Sequence, residues 1–386
     1  MTVRRPRAGR GLVLVCNAGS STLKASLLAR DDERPLATTT LTWDGDPVEC
    51  GPTTFDAALA ALGLVDDGGT EPPIVGVGHR LVHGGPDGGA PVVIDARARA
   101  RLEEARTLAP LHLPPALAML DAARERLPGV PQVAAFDTAF HVTLPEVARR
   151  YPVPDAWVRE LRLRRYGFHG LSVDWAVGRA AALLGLPRGR LRLVVAHLGA
   201  GSSVTAVDRG RSVATSMGYT PLEGLMMATR SGSIDPGILI ALLRSGADAD
   251  EIADGLEHRS GLLGVAGEAD LRTLMVRAAA DDDAARLAID MFVDRAAAGI
   301  AAAATRLSRV DAIVFTGGIG EHAAPVRAAI VQRLASIGVA PIAARRRRGD
   351  VILSAPGVHP AVLRVEARED LVIAAAVRRL VRTSGA

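Results

Sequence analysis

One pattern constrains this chain more than any other: an apolar strand that runs into a Gly-Ser-Ser turn and out into a second strand, and it occurs twice. Residues 12–28 read LVLVCNAGSSTLKASLL, with the first apolar run ending at Asn17 and the turn formed by Gly19, Ser20, Ser21 and Thr22. Residues 193–207 read LVVAHLGAGSSVTAV, with the second triplet beginning at Gly201, close to half a chain length later. Two long half-chains built on one strand–turn–strand unit point to a duplicated α/β architecture. Lys24, just past the first turn, is the only lysine among 46 basic residues. A chain that uses arginine everywhere else keeps one compact ammonium beside exposed amides and hydroxyls, which suits a phosphate cradle. A Gly-Ser turn between strands is also how an ordinary hairpin is made, and the turn alone leaves both readings open.

Length and composition narrow the classes. At 386 residues the chain has room for two cores, and 48% hydrophobic with 23% charged residues is the balance of a globular protein. The pI is near 9.6, yet the formal charge is only +4, too weak a field to imply nucleic acid as a partner. The basic run Arg345–Arg348 reads as a solvated turn. Cys16 and Cys50 are the only cysteines; no disulfide framework follows, and a reducing compartment fits. The first apolar run, 12–16, is shorter than the roughly 7–15 residues of a secretory core. No run approaches the ~20 residues of a membrane helix, so no membrane partner and a cytoplasmic location are expected.

Strand-like runs recur at 12–16, 74–77, 92–94, 133–136, 193–196, 312–315 and 362–365, separated by helical stretches such as 97–108, 115–126, 173–185 and 284–307. That alternation predicts α/β architecture. Tyr151-Pro-Val-Pro154 resists helix and central strand alike, and marks the expected crossing between domains. The expected division is 1–150 plus 366–386 for the first domain, closed by a terminal amphipathic helix, and 151–365 for the second. There is no Walker A pattern. His79 and His83 have a zinc-like spacing, but they follow a strand and precede Gly-Gly, which argues against a helical metal site.

Four further clusters hold residues able to do chemistry: GHRLVHGG (78–85) with Arg80, FDTAFH (136–141) with Asp137, YGFHG (166–170) with His169, and MGYTPLEGLMMATRSGSIDPG (217–237) with Arg230. Ligands of α/β proteins bind at the carboxyl ends of strands, where these segments fall. Each residue has a plain alternative: surface arginines, a helix N-cap at Asp137, a core histidine at 169. The segment DAIVFTGGIGEH (311–322) reads strand, glycine turn, helix.

Taken in order, NAGSSTLK, GHRLVHGG, APLHLPP (109–115), FDTAFH, YGFHG, HLGAGSS, the 215–232 block, FTGGIGE and REDL closely resemble the acetate kinase family, of the superfamily of hexokinase, actin and the Hsp70 ATPase. The resemblance covers nearly the whole chain. It implies two duplicated ribonuclease-H-like (actin-like) domains flanking a cleft, usually as a homodimer. The implied reaction is ATP + acetate ⇌ ADP + acetyl phosphate with Mg²⁺, or Mn²⁺ in its place. The resemblance makes Asn17 and Glu369 metal-side ligands, and puts Ser20, Thr22 and Lys24 in the first phosphate loop. Arg80 and Arg230 become the holders of carboxylate and phosphoryl, Asp137 the essential acid, and His169 a donor to the phosphoryl in flight. Val82, Leu111, Phe168 and Pro221 match the pocket for the acid's alkyl end. Nucleotide contacts fall on His197, Gly199, Gly201, Ser202 and the rest of the stretch to Ser203, on Asp270 to Arg272, and on Gly317, Gly318, Gly320 and Glu321.

The chain departs from the family pattern in places. Ala200 stands where HLGNG has asparagine, a loss worth roughly 0.5–1.5 kcal/mol of nucleotide binding or transition-state stabilisation. Ala214 and Ser233 each replace an aspartate, and Ala-Arg-Glu-Asp-Leu (367–371) replaces Thr-Asn-Glu-Glu-Leu. Ala200, Ala214 and Ser233 motivate one alternative, a catalytically weak ATP-binding sensor on the same fold. A propionate-preferring kinase is the other, because one methylene in an apolar pocket is worth only ~1–3 kcal/mol. A sugar kinase is disfavoured, since a hydroxyl acceptor needs a general base.

Overall fold

The two halves of the chain build the same sheet twice. The computed structural model describes residues 11–19, 22–30, 32, 34–43, 47–64, 73–86, 88–109, 113–344 and 348–383. The chain divides into two compact units, Met1–Ala139 with Arg368–Ala386, and Phe140–Ala367. In the first unit the strands are β1 (Leu12–Ala18), β2 (Thr22–Ala29), β3 (Pro35–Thr42), β4 (Ile74–Leu81), β5 (Val92–Val93) and β6 (Gln132–Phe136). In the second they are β7 (Arg192–Leu198), β8 (Ser202–Asp208), β9 (Arg211–Thr215), β10 (Ala312–Thr316), β11 (Val351–Ile352) and β12 (Ala361–Arg364). The sheet orders are β3-β2-β1-β4-β6-β5 and, read from the matching edge, β9-β8-β7-β10-β12-β11. Each sheet pairs its first strand antiparallel to the second and parallel to the fourth. The duplicated α/β fold expected from the sequence is therefore present strand for strand, and in each unit the two strands flanking the Gly-Ser-Ser segment pair antiparallel.

All seven expected strands are found. The central strands read as continuous apolar runs because both faces are covered. In β7, Val194, Ala196 and Leu198 face one core with Phe292, Ala296 and Ile300 of the helix Asp283–Ala304. Leu193 and Val195 face the other, with Val173, Ala176 and Val177 of the helix Gly170–Leu184. In the first unit the terminal helix Glu369–Thr383 packs across β4. Two glycines make that approach possible: a Cβ on Gly76 would lie 2.6 Å from Val377 Cγ1, and one on Gly78 would lie 2.9 Å from Val377 Cγ2 and collide with Ile373.

The chain leaves the first unit between Ala139 and Phe140, ahead of Tyr151–Pro154. The reason is local bonding. His141 Nδ1 lies 2.9 Å from Ser212 Oγ, Thr143 Oγ1 donates to Ser212 O, and Arg165 N donates to Arg149 O, so 140–150 belongs to the second unit. Its return lies at Ala367/Arg368, two residues past the expected 365/366. No helix among the described residues is long and apolar enough to cross a membrane.

The glycine contacts make a prediction. Gly78→Val should cost about 1–3 kcal/mol by overpacking β4 against the terminal helix. Thermal unfolding monitored by circular dichroism checks it; an unchanged midpoint would mean that the helix is not seated there.

Candidate active site

In the first unit, strand register gathers the polar candidates into one row. Asn17 is paired with Lys24 on β2 and with Arg80 on β4, so Lys24, Asn17 and Arg80 stand side by side across three strands. Lys24 is exposed, whereas its neighbours along β2, Leu23 and Ala25, are buried. Asn17 Nδ2 donates to Glu369 Oε2 at 2.8 Å, joining the end of β1 to the first turn of the terminal helix. Arg80 donates from Nε (3.0 Å) and Nη2 (2.5 Å) to Asp137 Oδ2.

Asp137 has no solvent exposure. It follows β6 directly, and its amide donates to Leu81 O at 3.1 Å, carrying the β4–β6 ladder one step further. Its Oδ1 accepts no hydrogen bond among the described residues, so that oxygen makes no N-cap. Burial opposes the charge of Arg80, but Asp137 and then Glu369 outweigh it, holding the guanidinium above the ordinary arginine value. A buried ion pair of this kind is costly to break from either side. Val82 follows β4 and is buried. Ser20 and Leu111 lie outside the described residues.

In the second unit the equivalent row is Ser203 (β8), His197 (β7) and Thr316 (β10). His169, in the left-handed region at φ 59°, heads the helix Gly170–Leu184. Its Nδ1 lies 3.0 Å from Ser203 Oγ, and its ring stacks on that of His197, with centroids 4.1 Å apart. His197 Nδ1 in turn lies 2.8 Å from Ser172 Oγ.

Gly201 sits among these groups. A Cβ there would be 3.1 Å from His169 Nε2 and 3.7 Å from Arg230 Nη1, so the second Gly-Ser-Ser turn brings imidazole and guanidinium to one spot. Gly317, at φ 77°, lies against Leu198 O and His197 Nε2, which sets the glycine turn after β10 beside the turn after β7. Ser202 Oγ donates to Gly199 O and accepts from Gly199 N. Gly317, Gly318 and Gly320 run straight into the short helix Gly317–His322. Glu321 Oε1 accepts from Ala367 N. Asp270 and Arg272 pair with each other on the surface at the head of the helix Leu271–Ala279. Phe168 is buried, and Pro221 is half-buried within the 216–235 segment, which holds no helix.

Sequence reasoning missed the groups that hold this segment. Tyr151, Arg165 and Glu223 form one hydrogen-bonded cluster. Ser233 closes the loop bearing Arg230, its Oγ accepting from Gly224 N (3.1 Å) and its amide donating to Gly224 O (2.9 Å). The one signal was the acid Glu223 between turn-forming residues with no helix to cap. His79 is bonded to Gln132 Oε1 at 2.8 Å, a satisfied core histidine.

The profile of the acetokinase family matches residues 59–375. The acetate kinase of Deinococcus deserti is 42% identical, over 96% of this chain and 98% of its own length. That of Streptomyces coelicolor is 41% identical, over 97% and 98%. Two crystal structures, a Porphyromonas gingivalis acetate kinase and a Francisella tularensis propionate kinase, each superpose with a TM-score of 0.86 at 33% identity, covering 96% of this chain and 99% of theirs.

The buried histidines make a pH prediction. Burial pushes His79 and His141 each down to about 4. Between that value and the unfolded value near 6.5 the unfolded chain binds the proton and the folded chain does not. Stability should therefore be intact above about pH 6.5 and fall toward pH 4, by about 1.4 kcal/mol per pH unit for each histidine. Urea denaturation across that range, with His79→Gln expected to flatten the slope, is the measurement.

Proposed function

This chain belongs to the acetokinase family, and from that premise we propose that it is an ATP:acetate phosphotransferase making acetyl phosphate and ADP reversibly. The observation that carries the reading is Arg80 held by the fully buried Asp137 at the end of β4, in a member of this family. One carboxylate oxygen of acetate attacks the γ-phosphorus in line, and the bond from that phosphorus to the bridging oxygen of ADP breaks. No proton moves, because acetate is already ionised at neutral pH; the protein's work is positioning and charge neutralisation.

The guanidinium forks of Arg80 and Arg230 suit carboxylate and phosphoryl oxygens. Asp137 keeps Arg80 in place and charged. His169, with Nδ1 turned to Ser203, donates from Nε2 to the phosphoryl oxygens. Val82, Leu111, Phe168 and Pro221 are the residues we assign to the acid's alkyl end. Lys24, Thr22 and Ser20, and separately the turns Gly199–Ser203 and Gly317–Glu321, are the groups we assign to the nucleotide's phosphates, and Asp270 and Arg272 those we assign to the rest of the nucleotide.

The residues present fit a divalent cation of the magnesium type. Among the described residues no cluster of three or more acidic, histidine or cysteine side chains exists, but Asn17 and Glu369 are hydrogen-bonded neighbours that offer oxygens. Magnesium favours such a sparse set, because it keeps its waters and is completed by phosphates. Bound there, Mg²⁺ (or Mn²⁺) would draw charge from the β- and γ-phosphates as the bridging bond breaks.

Acetate is favoured over propionate because the curated relatives named above are acetate kinases. Purified protein with Mg-ATP and hydroxylamine should form hydroxamate from acetate, with less from propionate and butyrate. Arg230→Ala should reduce turnover by orders of magnitude with the fold intact. No hydroxamate from any acid, despite ATP binding, would replace this reading with that of a sensor.

The same reading includes a homodimer. Its support is the helix Pro236–Arg244, which buries none of its residues and leaves Ile238, Ile240, Leu242 and Leu243 39–53% exposed. A helix so apolar on every side calls for a cover. Light scattering should give twice the chain mass, and Ile240→Asp should give a monomer. A monomeric wild type would remove the dimer.

A further inference from the structure

Deepening the kinase reading on which it rests, we infer that Tyr151 and Glu223, with Arg165, are positioning residues that set the seat for the carboxylic acid. Tyr151 comes from the Tyr-Pro-Val-Pro segment that reads in sequence as a mere crossing, and nothing in the proposed chemistry uses it. Its hydroxyl accepts from Tyr219 N at 2.8 Å and donates to Glu223 Oε2. Glu223 Oε1 accepts from Arg165 Nη2 at 2.5 Å, and Arg165 Nη1 donates to Ser216 O and Met217 O, both at 3.0 Å. Arg165 also lies over the Tyr151 ring, 5.3 Å from its centroid.

These bonds grip one short turn from both ends. Between Tyr219 and Glu223 the chain folds back tightly: Gly218 N donates to Thr220 O and Leu222 N to Thr220 Oγ1, with Pro221 at the tip. Neither Tyr219 nor Glu223 can shift without breaking a bond to Tyr151. Gly218 carries no side chain because Glu223 and Tyr151 pack directly against its Cα; a Cβ would collide with both.

The same turn holds the neighbouring segment. Gly218 O accepts from Tyr166 N (3.0 Å) and Gly167 N (3.3 Å), the two residues before Phe168. Phe168 and Pro221, both assigned above to the acid's alkyl end, thus hang on one network. The glycine turns assigned to the nucleotide, Gly199–Gly201 and Gly317–Gly320, make none of these bonds. That asymmetry separates a seat for the acid from a general structural strut. Burial keeps the Tyr151 phenol well above its ordinary pKa, so it remains a proton donor throughout the working range.

The test is a split in kinetic constants. Tyr151→Phe removes both the donor to Glu223 and the acceptor for Tyr219 N while keeping the ring. Losing one such bond corresponds to about five- to tenfold. KM for acetate should rise by about that factor, with KM for ATP unchanged and kcat within about threefold. Glu223→Gln should do the same, and the double variant should be no worse than the single ones, as expected of partners in one network. Hydrogen exchange over 216–222 should quicken in both variants, with the thermal midpoint little changed.

An active wild type whose variants keep its acetate KM would overturn this inference alone, and so would acetate and ATP constants rising together. A wild type inactive on every acid would overturn the kinase reading and this inference with it.

Discussion

A carboxylate with no solvent exposure must be met by a cation, and in the first unit that requirement organises everything else. Asp137 in that position needs Arg80 beside it, because an unpaired buried charge costs several kcal/mol. The two residues come from strands that are neighbours only if the sheet order is β1-β4-β6 with parallel pairing, and Arg80 stands opposite Ala135, two residues before Asp137. The pair thus reports the topology. It also depends on the terminal helix: Gly76 and Gly78 admit that helix onto β4, and the helix brings Glu369 to Asn17 and adds a second negative charge beside Arg80.

Duplication explains how one scaffold serves two chemistries. The polar row of each sheet falls at the same place, across the second, first and fourth strands of its half. In the first half it is Lys24, Asn17 and Arg80; in the second it is Ser203, His197 and Thr316. The backbone is repeated and the charge is not. One copy presents cations and an amide, the other imidazole and hydroxyls between two glycine turns. Function resides in what the repeated frame carries and not in the frame.

What could be read in the sequence follows from how local each signal is. The buried central strands were legible because covering both faces forces unbroken apolar runs. β3, reading PLATTTLT, was not, since its run of threonines carries no such signal, and β9 and β11 are short edge strands. The helix Pro47–Ala61 contains Pro52, which argues against a helix when taken alone. Arg80, Asp137, His169 and Arg230 could be named from strand ends and turns. Their partners could not, because Ser203 is 34 residues from His169 and Glu369 is 352 from Asn17. The domain crossing was placed late for the same reason: the bonds that tie 140–150 to the second unit join residues about 70 apart.

Three of the departures from the family pattern, Ala200, Ala214 and Ser233, lose less than their side chains suggest. Ala200 is exposed, and the tie that holds its turn is made by its backbone, whose carbonyl accepts from Ala228 N at 3.2 Å. That bond survives any side chain at 200, so the frame of the turn does not depend on an asparagine. At 233 the requirement is an oxygen able to accept from Gly224 N, and a serine hydroxyl meets it as a carboxylate would. Ala214 stands in β9 opposite Ala206, where the ladder needs only backbone. Each departure falls where the main chain, or a short polar side chain, already does the holding. None touches Arg80, Asp137, His169 or Arg230. The network that holds the Pro221 turn, from Tyr151 through Glu223 to Arg165, uses the side chain of none of the three. These departures leave the buried Arg80–Asp137 pair and the bonded loop that carries Arg230 as they are.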